Sequence, residues 1–230
     1  MRAWEEILNP EDRALYQKGF YGARQGFKSH PALMVVDVTR SFIGSRPMPI
    51  LEAVHEYATS CGEIGWAALP KIRTLLDAAR GTGVPIIYTR PDDSLRPFAS
   101  ATTKIENPEN QRPMDPLAQE IPEIIAPRPG DLVIDKSKAS GFFCTPLEVC
   151  LRNMGVDSLI VAGTTTSGCV GVSVVDGHSL GFTMFVVDEC CFDRFEISHL
   201  ASLFDLNAKY ATVFSLAEAT DYLAEVAPAG

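Results

Sequence analysis

Three residues of unlike chemistry, Asp37, Lys136 and Cys169, each stand close behind a run of apolar residues. Cys169 is the best candidate for a nucleophile. It opens a helical stretch after the loop Gly163–Cys169 (GTTTSGC), where Gly168 and Gly171 leave the backbone accessible, and a helix N-terminus favours thiolate over thiol. The same turn offers N–H groups that can hold a developing oxyanion. A thiol nucleophile needs a base. Of His30, His55, His178 and His199, His178 lies on the same predicted helix as Cys169, two and a half turns and roughly 13 Å farther along. That places it on the opposite side, and His199, in a later helix, has no assigned place. Asp37 can serve instead: a carboxylate beside a thiol accepts its proton and later returns it to an amine leaving group. Lys136, in Asp135-Lys136-Ser137-Lys138-Ala139, would stabilise the thiolate and keep Asp37 ionised. Taken singly, each residue has a blander reading: a buried structural thiol, a turn-capping carboxylate, an exposed loop lysine. Their shared placement is what carries weight.

The elements that must position them alternate between two periods. Ala32–Val36, Val84–Thr89, Leu132–Ile134, Ser158–Ala162, Met184–Val187 and Thr212–Phe214 read as strands, mostly uniformly apolar as strands covered on both faces are. Helices are predicted over Trp66–Arg80, Pro146–Asn153, Gly168–Leu180 and Glu196–Tyr210, with Thr145–Glu148 as a capping box and Ser215–Glu218 capping a last one. This alternation specifies an α/β fold: a three-layer αβα sandwich around a central, mostly parallel six-stranded sheet, Rossmann-like in plan. In such a sheet ligands collect at the carboxyl ends of the strands. Reading those ends in order gives Asp37, Arg90, Lys136, the Gly163–Cys169 loop, and Asp188 followed by Arg194. Phe42, Arg90 and Phe142 are expected as lining. Asn9–Phe27 reads as an N-terminal helix, and Pro91–Pro129 as a long functional loop or covering flap.

Composition narrows the rest. The chain has 230 residues, 46% of them hydrophobic, with a formal net charge of -9, so it can bury a sizeable core and lacks the electrostatic footprint of a nucleic-acid or anionic-membrane binder. No apolar run approaches the ~20 residues that cross a bilayer. Without repeats or low-complexity linkers, residues 1–230 read as a single domain with residues 1–30 as a helical extension. The N-terminus MRAWEEILNPEDR has no signal-peptide pattern, and six cysteines are too few for a disulfide scaffold, so a cytoplasmic protein with reduced thiols is expected. No His-x-x-x-His, Cys-x-x-Cys, phosphate-loop or dinucleotide-loop spacing occurs, and neither metal nor cofactor is expected. Cys190-Cys191 reads as a packed pair, with thiol redox chemistry alongside Cys169 as an alternative.

Asp37 after an apolar first strand, Lys136 in VIDKSKASGF and Cys169 in VAGTTTSGCV together resemble the cysteine hydrolases of the isochorismatase-like superfamily, over roughly Pro31 to Leu223. GFYGARQGFKSHPALMVVD and Asp193-Arg194 are most similar to its N-carbamoylsarcosine and maleamate amidohydrolases. The resemblance implies Asp37 as general base and acid, Lys136 as the organising charge and Cys169 as nucleophile. It implies a cis peptide at Thr164–Thr165, an oxyanion hole from the N–H groups of Thr165 and Cys169, and substrate contacts from Thr164, Thr165 and Arg194, whose fork suits a carboxylate. Arg194 in a surface salt bridge is the blander reading. No match to the metal-binding Asp-x-His of nicotinamidases is expected in the chain, which weakens a pyridine-amide substrate. The implied activity is cleavage of a linear amide or carbamoyl C–N bond in a small, carboxylate-bearing substrate with release of ammonia. Maleamate, or a neutral ureide of the biuret type, is the alternative substrate, and a non-catalytic small-acid binding protein the alternative class. The resemblance also implies a homo-oligomer, tetramer or dimer, with sites near subunit contacts, and the N-terminal extension is a candidate for such a contact.

Overall fold

The computed structural model describes residues 3–19, 21–92, 94 and 115–226. Six strands, β1 (Pro31–Val36), β2 (Ile86–Pro91), β3 (Leu132–Lys136), β4 (Ser158–Thr164), β5 (Thr183–Phe192) and β6 (Thr212–Phe214), form one sheet in the order β3-β2-β1-β4-β5-β6. Every pairing in it is parallel. Because side chains alternate across a strand, β1 sends Leu33 and Val35 to one face and Ala32, Met34 and Val36 to the other. On the first face Ile72, Leu75 and Leu76 of α4 (Glu63–Thr82) and Tyr222 of α8 (Leu216–Glu225) close the core. On the second, Leu147 and Leu151 of α5 (Leu147–Asn153), Val174 of α6 (Gly171–Ser179) and Leu203 of α7 (Glu196–Lys209) do so. The three-layer sandwich is therefore as the residue pattern specifies it.

Differences are local and have identifiable causes. The N-terminal helix α1 runs only from Pro10 to Lys18, started by the Asn9 side chain and stopped at Gly19. β5 extends to Phe192 because its register against β4 shifts between Val161 and Gly163 and pairing resumes at Gly163–Cys191. Asp188 is thus inside the strand, and Asp193-Arg194 takes the tip. Ser215 and Glu218 close the capping box of α8, but Thr145–Glu148 forms no such box at α5. Thr145 Oγ1 donates to the Gly141 carbonyl at 2.6 Å and accepts from the Leu147 N–H at 3.3 Å, while Glu148 pairs with Arg152. Two short helices escape the pattern, α2 (Arg40–Ile43) and α3 (Ile50–Glu56), too brief for a helical period to register. Of the long connection Pro91–Pro129, residues 95–114 lie outside the described residues. Its far end packs on α2, where Arg40 and Ser41 donate to the carbonyls of Glu120 and Ala118.

β1 is the strand at which the chain reverses its direction of winding, since its neighbours are β2 on one side and β4 on the other. A crevice opens at such a point beyond the strand ends. There β4 presses against β1: Gly163 has φ +117°, and a Cβ on it would stand 2.1 Å from the Val36 carbonyl oxygen. Gly163→Ala is expected to cost about 3 kcal/mol through backbone strain and overpacking. A fall in midpoint on thermal or urea unfolding measures it; an unchanged midpoint would contradict the close approach.

Candidate active site

Asp37 follows β1 in the left-handed region, φ 52°, a conformation short polar side chains tolerate. Its N–H still donates to Thr89 of β2, while its carboxylate sits over the sheet edge, fully buried. Oδ1 accepts from Thr89 Oγ1 at 2.7 Å and Oδ2 lies 2.7 Å from Lys136 Nζ. Lys136 comes from the last residue of β3 and is itself 4% exposed. Its ammonium also donates to the carbonyls of Lys138 and Ala139 at 3.0 Å each. Burial works against that charge, but the Asp37 carboxylate and then Cys169 outweigh it and hold its pKa above the usual lysine value.

Cys169 lies in a wide turn, Thr166–Val170, between β4 and α6. The turn needs glycine at 168, where φ and ψ are -113° and -110° and a Cβ would fall 2.5 Å from Thr165 Oγ1. Thr164–Thr165 is a cis peptide, as the resemblance implies, and the Thr165 carbonyl accepts from Gly168 and Val170. The half-buried Cys169 is near enough to Asp37 and Lys136 for both charges to act on its thiol. Three strand tips thus deliver acid, cation and sulfur to one cluster.

One expectation is reversed. Position at a helix N-terminus predicts an ionised thiol; instead its pKa is pushed up to about 12, by burial first and then by the Asp37 charge, against the opposing pull of Lys136. A helix terminus contributes only ~0.3–1 kcal/mol and cannot offset loss of solvent beside an anion. The resting sulfur is therefore a thiol. The pH dependence follows. A free-thiolate mechanism would gain rate as pH rises through ~8.5. Here thiol and ammonium keep their protons well above neutrality. We expect kcat/KM to stay level from about pH 7 to about 9.5. A tenfold rise per pH unit in that window would mean thiolate attack.

Other groups brace the turn. Ser173 donates to the Cys169 carbonyl at 2.6 Å and accepts from Gly141 N–H at 2.8 Å, tying the turn to the loop after Lys136. His199 bonds Thr166 Oγ1 through Nδ1 at 2.8 Å, and burial lowers its pKa. It does not serve Cys169. Arg194 donates from Nη1 to the Thr59 carbonyl at 2.7 Å, and its charge acts on Cys61, whose sulfur is 3.8 Å from Thr164 Oγ1. It reaches the end of β4 rather than forming the surface salt bridge of its blander reading. The expected lining fares less well. Arg90 pairs with Asp135 at the sheet edge, Phe142 stacks on Phe182 in the core, and Phe42 is half-buried on α2. Cys190 and Cys191 point to opposite cores and are free thiols, so they do not pair with each other. The chain does hold an Asp-x-His triplet, Asp176-Gly177-His178. It rides on α6 with His178 edge-on to Tyr210, and among the described residues no third potential ligand joins it. A cleft of about 680 Å³ between α4, β5 and α7 contains none of the three central residues.

Sequence reasoning alone misses Thr89 and Ser173. Ser173 stands four residues past Cys169, a spacing that could have found it. Thr89 needs the strand order.

Residues 31–218 match the model of the isochorismatase domain. The chain belongs to the isochorismatase domain family. This isochorismatase-domain protein is 33% identical to the maleamate amidohydrolase of Pseudomonas putida, over 91% of this chain and 94% of that one. It is 28% identical to the N-carbamoylsarcosine amidase of an Arthrobacter species, over 91% and 77% respectively. Its fold matches a cysteine hydrolase from Pseudomonas syringae pv. phaseolicola with a TM-score of 0.70 at 23% identity, covering 87% of this chain and 96% of the other. The isochorismatase-domain protein is thus an enzyme, an amidohydrolase of this family acting on carbon–nitrogen bonds other than peptide bonds.

Proposed function

We propose that this amidohydrolase uses Cys169 to cleave the linear amide or carbamoyl C–N bond of a small carboxylate-bearing substrate and to release ammonia. The observation that carries the reading is the buried Asp37–Lys136 pair standing near enough to Cys169 for both charges to act on its thiol. The sulfur attacks the carbonyl carbon as its proton passes to Asp37, and the oxyanion is held by the N–H groups of Thr165 and Cys169. Asp37 returns the proton to the departing nitrogen, the C–N bond breaks, and a thioester remains. Water, deprotonated by Asp37, then frees the acid and the thiol. A carbamoyl substrate yields a carbamate that decomposes to carbon dioxide and an amine. Lys136 fixes Asp37 throughout, and Arg194 holds the substrate carboxylate beside Thr164 and Thr165.

The names of both relatives support a carboxylate-bearing amide, and the higher identity favours maleamate as the second reading. The enzyme acts as one domain, in the cytoplasm, as a homo-oligomer. The test is ammonia release from maleamate, N-carbamoylsarcosine, ureidoacrylate and biuret by the wild type and Cys169→Ala. Release from the carboxylate-bearing amides by the wild type alone is expected. Biuret turned over in preference would remove Arg194 from substrate binding, and no release from any would end the proposal.

A further inference from the structure

Asp193 is a buried carboxylate that the catalytic scheme above leaves idle. It occupies the first position after β5, is 4% exposed, and has both oxygens engaged. Oδ2 accepts from the Ser167 N–H at 2.8 Å and from Ser167 Oγ at 2.7 Å, and Oδ1 accepts from the Arg194 N–H at 2.8 Å. Ser167 is two residues before Cys169 in the nucleophile turn. One side chain thus joins the turn that carries the sulfur to the backbone of the residue assigned to the substrate's far end. Hydrogen bonds to a charged acceptor are the strong kind, and removing this one takes the acceptor from three donors at once.

We propose that Asp193 is a positioning residue: it locks the nucleophile turn so that Cys169 stays against Asp37, and fixes the distance from that sulfur to Arg194. This rests on the amidohydrolase reading for its kinetic consequence but not for its geometric one. A turn released from Asp193 lets Cys169 swing toward solvent, away from the carboxylate that faces it. Two effects of opposite sign follow. Turnover falls, because a misplacement of about 1 Å costs on the order of 10²-fold in rate. Reactivity toward a small alkylating agent rises, because the solvated thiol returns toward its ordinary pKa of ~8.5. A residue needed only for folding would change neither property in the molecules that remain folded.

The experiment compares wild type, D193N and D193A in kcat, KM and the pH profile of iodoacetamide labelling at Cys169, read by peptide mass spectrometry and normalised to the folded fraction. Alanine should lower kcat about 10²-fold and move the labelling midpoint down toward that of an ordinary thiol. Asparagine keeps an acceptor for Ser167 but turns its NH₂ to the Arg194 N–H. It should recover about tenfold of the lost kcat, with KM for a carboxylate-bearing amide still raised. Both folded variants within twofold of wild type in kcat, with an unshifted labelling profile, would overturn the assignment. Should D193A not fold, the same result for D193N alone overturns it. Labelling needs no substrate, so a wild type inactive on every amide would defeat the proposed reaction, while the labelling profiles would still decide the role of Asp193.

Discussion

Cys169→Ser loses at least ~10⁴-fold in amide hydrolysis while the protein stays folded. The exchange keeps the shape of the side chain and both of its neighbours, so only the attacking atom changes. A hydroxyl holds its proton far more tightly than a thiol, and a carboxylate is too weak a base to take it early in the attack. Sulfur escapes that difficulty even with its pKa at about 12, because it is intrinsically the better nucleophile. What rate remains comes from binding and the oxyanion donors. Ammonia release at saturating substrate, beside a thermal melt, measures both halves of the statement. A serine variant within tenfold of wild type would show that the sulfur is not the nucleophile.

The second large effect concerns the Asp37–Lys136 pair, which is 2.7 Å long and shielded from solvent on both sides. Removing one partner of a buried ion pair strands the other charge and costs about 3–5 kcal/mol. Asp37→Asn and Lys136→Met should each show that loss in urea unfolding, as a lower midpoint at unchanged slope. Asparagine is the right probe at 37, because it accepts the positive φ and can still accept from Thr89. The double variant should recover much of the stability, since no buried charge is left over, yet stay inactive, with Asp37→Asn alone down by ~10³-fold or more. Additive losses in the double variant would mean that the two groups do not compensate each other.

How much of this is legible in the sequence? The strands are, because a parallel sheet covered on both faces writes itself as uninterrupted apolar runs, as in Ala32–Val36. The three central residues are legible because each stands at or just past a strand end. The thiol's state is not: helix position is a local property, whereas burial beside Asp37 depends on a residue 132 positions away. Arg90 and Phe142 mislead for a related reason. Closeness to a strand tip fixes the edge a residue occupies but not where its side chain turns, and Asp135 and Phe182 claim them. Asp193 and Thr89 emerge only with the partners that tertiary pairing supplies.

The strand order also dictates the length of one side chain. β3 is two places from β1, about 9.6 Å at the usual spacing, with Thr89 of β2 between them. Any cation anchored on that outer strand must arch over its neighbour to touch a carboxylate beyond it. The four methylenes of lysine make the span, and the small threonine underneath leaves headroom for it. A bulkier residue at 89 would act as a roadblock on the route.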